Sequence, residues 1–293
     1  MRAFLVTVAV LVVAGCGSNE PSTPVAADPP SPPPATVPAP PTTAPPETAT
    51  TAPAPPPATT AAPPPKAAPP PPTQAVPHGC EPGAVVPVGT AQRSFAAVVK
   101  ERAVAYREPG AAELASFEQR NVNNYPTIFA VLAKRIGERC RPAWYHVQLP
   151  LRPNGITGWV RAADVRLEPV TTRIVVELGE RRVILYDRGR EVMRVRAAIG
   201  TSATPTPTGR YYVNQRLIPA DPSGPYGPGA IGISAFSPVL TGWAQGGPIA
   251  IHGTNRPELI GQAVSNGCIR VRNDELVRLF ERTRAGTPVL VRA

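Results

Sequence analysis

Two side chains of this 293-residue sequence could together activate a nucleophile. His252 ends the apolar run Ile249-Ala250-Ile251, and Cys268 lies 16 positions further on, in the turn Ser265-Asn266-Gly267-Cys268 that precedes Ile269 and Arg270. A thiol becomes a good nucleophile at neutral pH when a neighbouring base takes its proton, and an imidazole within hydrogen-bond reach can do so. Gly267 lets the backbone turn tightly before Cys268 and present N–H groups to a negative oxygen developing on a substrate. A cysteine in such a setting is expected to have a pKa below the free value of about 8.5. The pair alone also fits an inert buried thiol, so the elements that carry it must be read too.

Those elements read as mostly β. Ile174-Val175-Val176 and Val183-Ile184-Leu185-Tyr186 flank Gly179-Glu180-Arg181, and Asp187-Arg188-Gly189-Arg190 leads to a third apolar run, the pattern of a strand meander. The Thr- and Pro-rich segment 200–209 and the Gly- and Pro-rich segment 220–232 read as loops that border something. Asn273 is placed to cap a helix carrying Leu276, Val277, Leu279 and Phe280, with Gly286 as its stop and a closing strand over 287–291.

With those elements in place, the region from Thr171 to Arg292 resembles the L,D-transpeptidase catalytic domain family. The resemblance rests on His252-Gly253, a gap of this length, and Ser265, Gly267, Cys268, Ile269 and Arg270, together with Ile199-Gly200 and Thr206 to Arg210, which look like the strand leading into that family's substrate flap. The departure is Asn266, where the commonest form has a second histidine. The resemblance implies that Cys268 attacks a tetrapeptide stem of peptidoglycan and forms a thioester, that His252 is the base, and that a carbonyl near Gly253 orients the imidazole. The amides of Cys268, Gly267 and Asn266 would form the oxyanion site. Ser265 and Arg270 would order the turn or hold stem carboxylates. The implied reaction is a 3→3 cross-link, and hydrolysis of the same thioester would make an L,D-carboxypeptidase instead. Alternatives are a non-catalytic wall-binding lipoprotein, a cysteine endopeptidase, and a zinc site, which would need a third ligand at motif spacing where His78 and His146 stand isolated. No metal or cofactor is expected.

The rest of the chain sets the location. Arg2, the apolar run from Ala3 to Val13, and Val13-Ala14-Gly15-Cys16 read as a signal peptide (1–15) too short to span a membrane, and the end resembles a bacterial lipobox that would lipidate Cys16. Between Gly17 and Pro77 lie 24 of the 42 prolines, among Ala and Thr, so 16–77 is expected to be a disordered tether from the membrane into the wall. Lys and Arg exceed Asp and Glu by 10, and the part after Pro77 carries +11. A basic protein outside the cytoplasm meets anionic wall polymer, not nucleic acid. In that oxidising setting Cys80 and Cys140, the two cysteines left over, are expected to pair.

Residues 78–168 show the short strand spacing of a small barrel, and Gly158-Trp159-Val160 resembles the closing strands of bacterial Src-homology-3-like domains, modules that often bind or orient on wall. The expected fold class is therefore mainly β: a small Src-homology-3-like β-barrel, an L,D-transpeptidase-type β-rich catalytic domain (169–293) with one main helix, and a disordered Pro-rich N-terminal tether. The protein is expected to act as a monomer. Replacing Cys16→Ser should release it from the membrane fraction or leave it unprocessed; unchanged fractionation and unchanged mass would refute lipidation.

Overall fold

The computed structural model describes residues 81–293. The expected signal peptide, the lipidation site Cys16, the tether and Cys80 lie outside the described residues, as does one end of the expected Cys80–Cys140 bridge. Among the described residues the free cysteine is Cys268.

The first eight strands are β1 (Val85–Pro87), β2 (Ser94–Val99), β3 (Arg102–Tyr106), β4 (Glu113–Glu118), β5 (Ile128–Ile136), β6 (Pro142–Gln148), β7 (Thr157–Arg161) and β8 (Val165–Val170). They form one antiparallel sheet in the order β4-β3-β7-β6-β5-β2-β8, with β1 also on β5. The end strands of that order, β4 and β8, share no ladder with each other. Alternate residues collect around one core that includes Ala97, Val99, Phe129, Val131, Val147, Leu149 and Val160. Trp159 is buried on the other side of its strand from Val160 and stacks on His146 at 4.9 Å between ring centres.

The second group is β9 (Thr172–Glu177), β10 (Arg182–Asp187), β11 (Arg190–Arg196), β12 (Ile199–Gly200), β13 (Gly209–Leu217), β14 (Ala230–Phe236), β15 (Pro248–His252), β16 (Ala263–Ser265), β17 (Ile269–Arg270), helix α1 (Asn273–Arg282) and β18 (Pro288–Arg292). Its main sheet runs β11-β10-β9-β18-β13-β14-β15-β17, and β12 pairs with β16 separately. Arg188 and Gly189 both have positive φ (47° and 81°), so the β10–β11 connection is the two-residue hairpin turn whose twist suits the flanking strands. The outer strand β11 carries Arg190, Arg194 and Arg196, charges that discourage edge-to-edge pairing. The closing strand β18 lies in mid-sheet, parallel to β9 and antiparallel to β13. One core joins this sheet to α1 through Leu276 and Leu279, both buried beside Ile231, Ile251 and Ile269.

The two sheets meet directly. Ala96, Ile128 and Val170 pack with Tyr125 and Ala285. The buried Tyr212 hydroxyl donates to the Ile128 carbonyl at 3.0 Å, and Gln148 Nε2 donates to the Arg210 carbonyl at 2.7 Å. Burial raises the Tyr212 pKa, which keeps its proton on the oxygen as the donor.

Candidate active site

Strand register brings the two chemical residues together. β15 and β17 run parallel with Ile251 opposite Ile269 and His252 opposite Arg270. Side chains alternate between faces along a strand, and paired residues share a face. Ile251 and Ile269, both fully buried, therefore point into the core, while His252 and Arg270 share the opposite face, onto which the same alternation continued one residue before β17 puts Cys268. By strand geometry the backbones of His252 and Cys268 are roughly 8 Å apart on the diagonal.

Each partner is held by its own contacts. His252 is buried, and its Nδ1 lies 2.6 Å from the Gly253 carbonyl. A carbonyl only accepts, so Nδ1 carries the proton of the neutral ring and Nε2 remains as the basic nitrogen. Burial, against the Gly253 bond and aided by the Arg270 charge, pulls the His252 pKa down to about 4. Gly253 itself has no room for a side chain, because a Cβ would come within 2.3 Å of Asn273 Oδ1 and 3.1 Å of Gly227 Cα. Asn273 Oδ1 accepts the Thr254 amide at 2.7 Å. The expectation that Asn273 caps the helix is thus corrected: it is the first helical residue, and its side chain ties α1 to the segment after His252, while the Arg272 amide at the helix start faces Glu275 Oε2 at 3.4 Å.

The half-buried Cys268 thiol lies 4.0 Å from the Pro248 carbonyl and faces the Ala250 amide. Here a second expectation fails. Burial raises the Cys268 pKa, outweighing the Ala250 amide and the Arg270 charge, which act to lower it. Sequence spacing signals a neighbouring base but not how much water the folded site removes from the sulfur.

The turn before Cys268 is braced from two sides. Ser265 Oγ donates to the Cys268 carbonyl at 2.5 Å and accepts the Gly267 amide at 3.2 Å. Gly267, at φ 109°, is therefore a turn residue whose N–H is already engaged, which corrects its expected place as an oxyanion donor. The Cys268 and Asn266 amides make no backbone bond among the described residues. Asn266 is exposed on the turn. Arg270 is locked by backbone bonds to Ala198 (2.9 and 2.8 Å), and its buried Nε has no hydrogen-bond partner.

Sequence reading missed the outer clamp. Thr206 Oγ1 donates to the Gly267 carbonyl at 2.8 Å and accepts the Gly200 amide at 2.9 Å. Thr204 Oγ1 and the Thr201 amide both reach the Ser265 carbonyl, at 3.0 and 3.1 Å. Tyr226 was missed as well: its ring centre lies 4.9 Å from that of His252, and its phenol pKa is raised by burial and by the nearby Cys268. The sequence signals were the Thr/Pro and Gly/Pro richness of the two loops and, for Gly200 and Thr206, their place in the resemblance to the family's flap entry.

Against this geometry stand the similarities to known proteins. The family model for the L,D-transpeptidase catalytic domain matches residues 171–291. The YkuD protein of Bacillus licheniformis, an L,D-transpeptidase by name, is 34% identical over 124 residues, 42% of this chain and 67% of its own length. The chain belongs to the L,D-transpeptidase catalytic-domain family. The family's YkuD protein of Bacillus subtilis is 33% identical over 40% of this chain and 64% of its own length. The solved catalytic domain of the Enterococcus faecium L,D-transpeptidase is 25% identical over 41% of this chain and 96% of that one, with a TM-score of 0.31. Family membership thus attaches to the second sheet and its site, whereas residues 81–170 lie outside the family match.

Two outcomes are expected. An imidazole with a pKa of about 4 stays neutral, and so competent as a base, until the pH falls to about 4. The acid limb of Cys268 acylation should lie there and not near 6.5, while iodoacetamide alkylation of the free thiol should still be rising at pH 9. A thiol that is fully ionised at pH 7 would contradict this. Thr206→Val should slow acylation by about tenfold or more through loss of turn geometry, with circular dichroism unchanged and Thr206→Ser close to wild type.

Proposed function

We propose that the protein is a cell-wall L,D-transpeptidase that works through a thioester on Cys268. The observation that carries the reading is the shared face of His252 and Cys268 with the His252 Nδ1 proton committed to Gly253, so that Nε2 is the nitrogen free to act. Both groups start neutral, since burial lowers the imidazole pKa and raises that of the thiol. Proton transfer from sulfur to Nε2 therefore accompanies attack on the carbonyl between the diamino acid and terminal D-Ala of a tetrapeptide stem.

The tetrahedral oxygen takes its negative charge next to the Cys268 amide. The imidazolium then gives its proton to the leaving amine, D-Ala departs, and the stem remains as a thioester. A neutral side-chain amine from a second stem attacks that thioester and passes a proton to His252 as the C–N bond forms; His252 returns the proton to the departing sulfur, which releases the thiol and leaves a 3→3 cross-link. Arg270 supports this role, because its unpaired Nε sits at the site and its positive charge favours a stem carboxylate. We also assign the +11 of the chain beyond Pro77 to attraction by anionic wall polymer, with the lipidated N-terminus holding the protein at the membrane.

Incubating the protein with tetrapeptide-stem muropeptides and reading products by mass tests the reading. A cross-linked dimer with loss of D-Ala is expected, with His252→Ala unable to form the thioester and Asn266→His within about tenfold of wild type. A trimmed tripeptide alone would mean hydrolysis, and an unchanged muropeptide would overturn the proposal.

A further inference from the structure

The loop between β14 and β15, residues 237–247, leads straight into the active site, because it ends at Pro248, whose carbonyl faces the Cys268 sulfur at 4.0 Å. Its base is closed by the Ser237 amide donating to the Gly247 carbonyl at 2.8 Å. Three successive residues, Gln245, Gly246 and Gly247, adopt positive φ (56°, 77° and 67°), a conformation that costs free energy at Gln245 and needs support from outside.

That support comes from the first sheet's loops. Arg152 Nη2 donates to the Ser237 carbonyl at 2.8 Å and also to the Gly246 carbonyl, so one guanidinium bridges both ends of the loop, with its carbon 5.3 Å from the centre of the Phe236 ring. Asn154 pairs with the Phe236 backbone in both directions at 2.9 Å. Asn123 and Gln245 exchange side-chain amide bonds at 2.9 and 3.2 Å. On the loop so held, Trp243 is 52% exposed, an unusual position for an indole that no core requires. An exposed indole face is a surface on which the C–H bonds of a sugar ring can stack, and the exposed Gln245 follows two residues along the same loop.

We propose that the first lobe completes the active site, with Arg152 as a positioning residue that holds loop 237–247 so that Trp243 receives the saccharide end of a muropeptide whose stem lies at Cys268. The proposal rests on the transpeptidase reading for its substrate, but not for the loop itself. It makes the first lobe part of substrate selection, beyond any attachment to wall.

The test uses the full chain and has two arms. In the first, acrylamide quenching of Trp243, taken as wild type minus Trp243→Phe, should rise by about twofold in Arg152→Ala and stay raised in Arg152→Lys, whose point charge lacks the planar fork that spans the two carbonyls. Unchanged quenching in Arg152→Ala overturns the positioning role. In the second, KM is compared for a disaccharide-tetrapeptide and the bare tetrapeptide. Wild type should favour the sugar-bearing substrate by about tenfold in KM; Arg152→Ala and Trp243→Ala should each lose that preference, with kcat within about threefold and the pH profile unmoved. A preference retained in Trp243→Ala overturns the saccharide site. Wild type that turns over neither substrate defeats the transpeptidase reading, and disaccharide-tetrapeptide titrated against Trp243 emission in Cys268→Ala then decides the saccharide site: saturable change supports it and none overturns it.

Discussion

The parallel pairing of β15 with β17 is the contact on which the site depends, since a slip of one residue would turn either His252 or Cys268 into the core and bring an isoleucine out. β17 is only two residues long, and its ladder cannot hold that register unaided. The register is held at both ends: by Ala198 bonding the Arg270 backbone on the far side, and by Ile251 and Ile269 packed in the common core. The helix contributes from behind. Leu276 and Leu279 bury against the same core, and Asn273 reaches out to the segment that follows His252.

Burial then sets the proton chemistry. A buried imidazole and a largely desolvated thiol both resist charge, so the resting pair is neutral. Arg270 acts on both groups with the same sign: its charge opposes a proton on His252 and favours one leaving Cys268. The first effect favours the neutral imidazole, and the second favours the thiolate. Desolvation remains the larger influence on each, which is why the order of the motif alone is a poor guide to reactivity.

The two sheets are joined by hydrogen bonds between polar side chains and backbone carbonyls as well as by a small apolar contact. Tyr212 to Ile128, Gln148 to Arg210 and Asn154 to Phe236 all cross from one sheet or its loops to the other. Such bonds have narrow geometry and leave polar groups unpaired when broken. They couple the conformation of the β14–β15 loop to the first sheet more tightly than a flat apolar patch of the same size would.

Much of this was legible along the chain, because hydrophobic alternation and turn chemistry are local. The meander over β9 to β11, the turn at Arg188-Gly189 and the helix with Leu276 and Leu279 could all be read from neighbours a few residues apart, and the His252–Cys268 pair from motifs 16 positions apart. Other features could not. Thr206 lies 61 positions from Gly267, Asn273 bonds a residue 19 positions before it, and Arg152 bonds a carbonyl 85 positions away. Sequence carries no distance between such residues. The pKa directions belong to the same class, since they depend on how much water the assembled site removes, and the Gly267 amide looked available only while its bond to Ser265 Oγ was unseen. Residue types and local periodicity thus determined which groups could react, whereas long-range packing decided how each is protonated and braced.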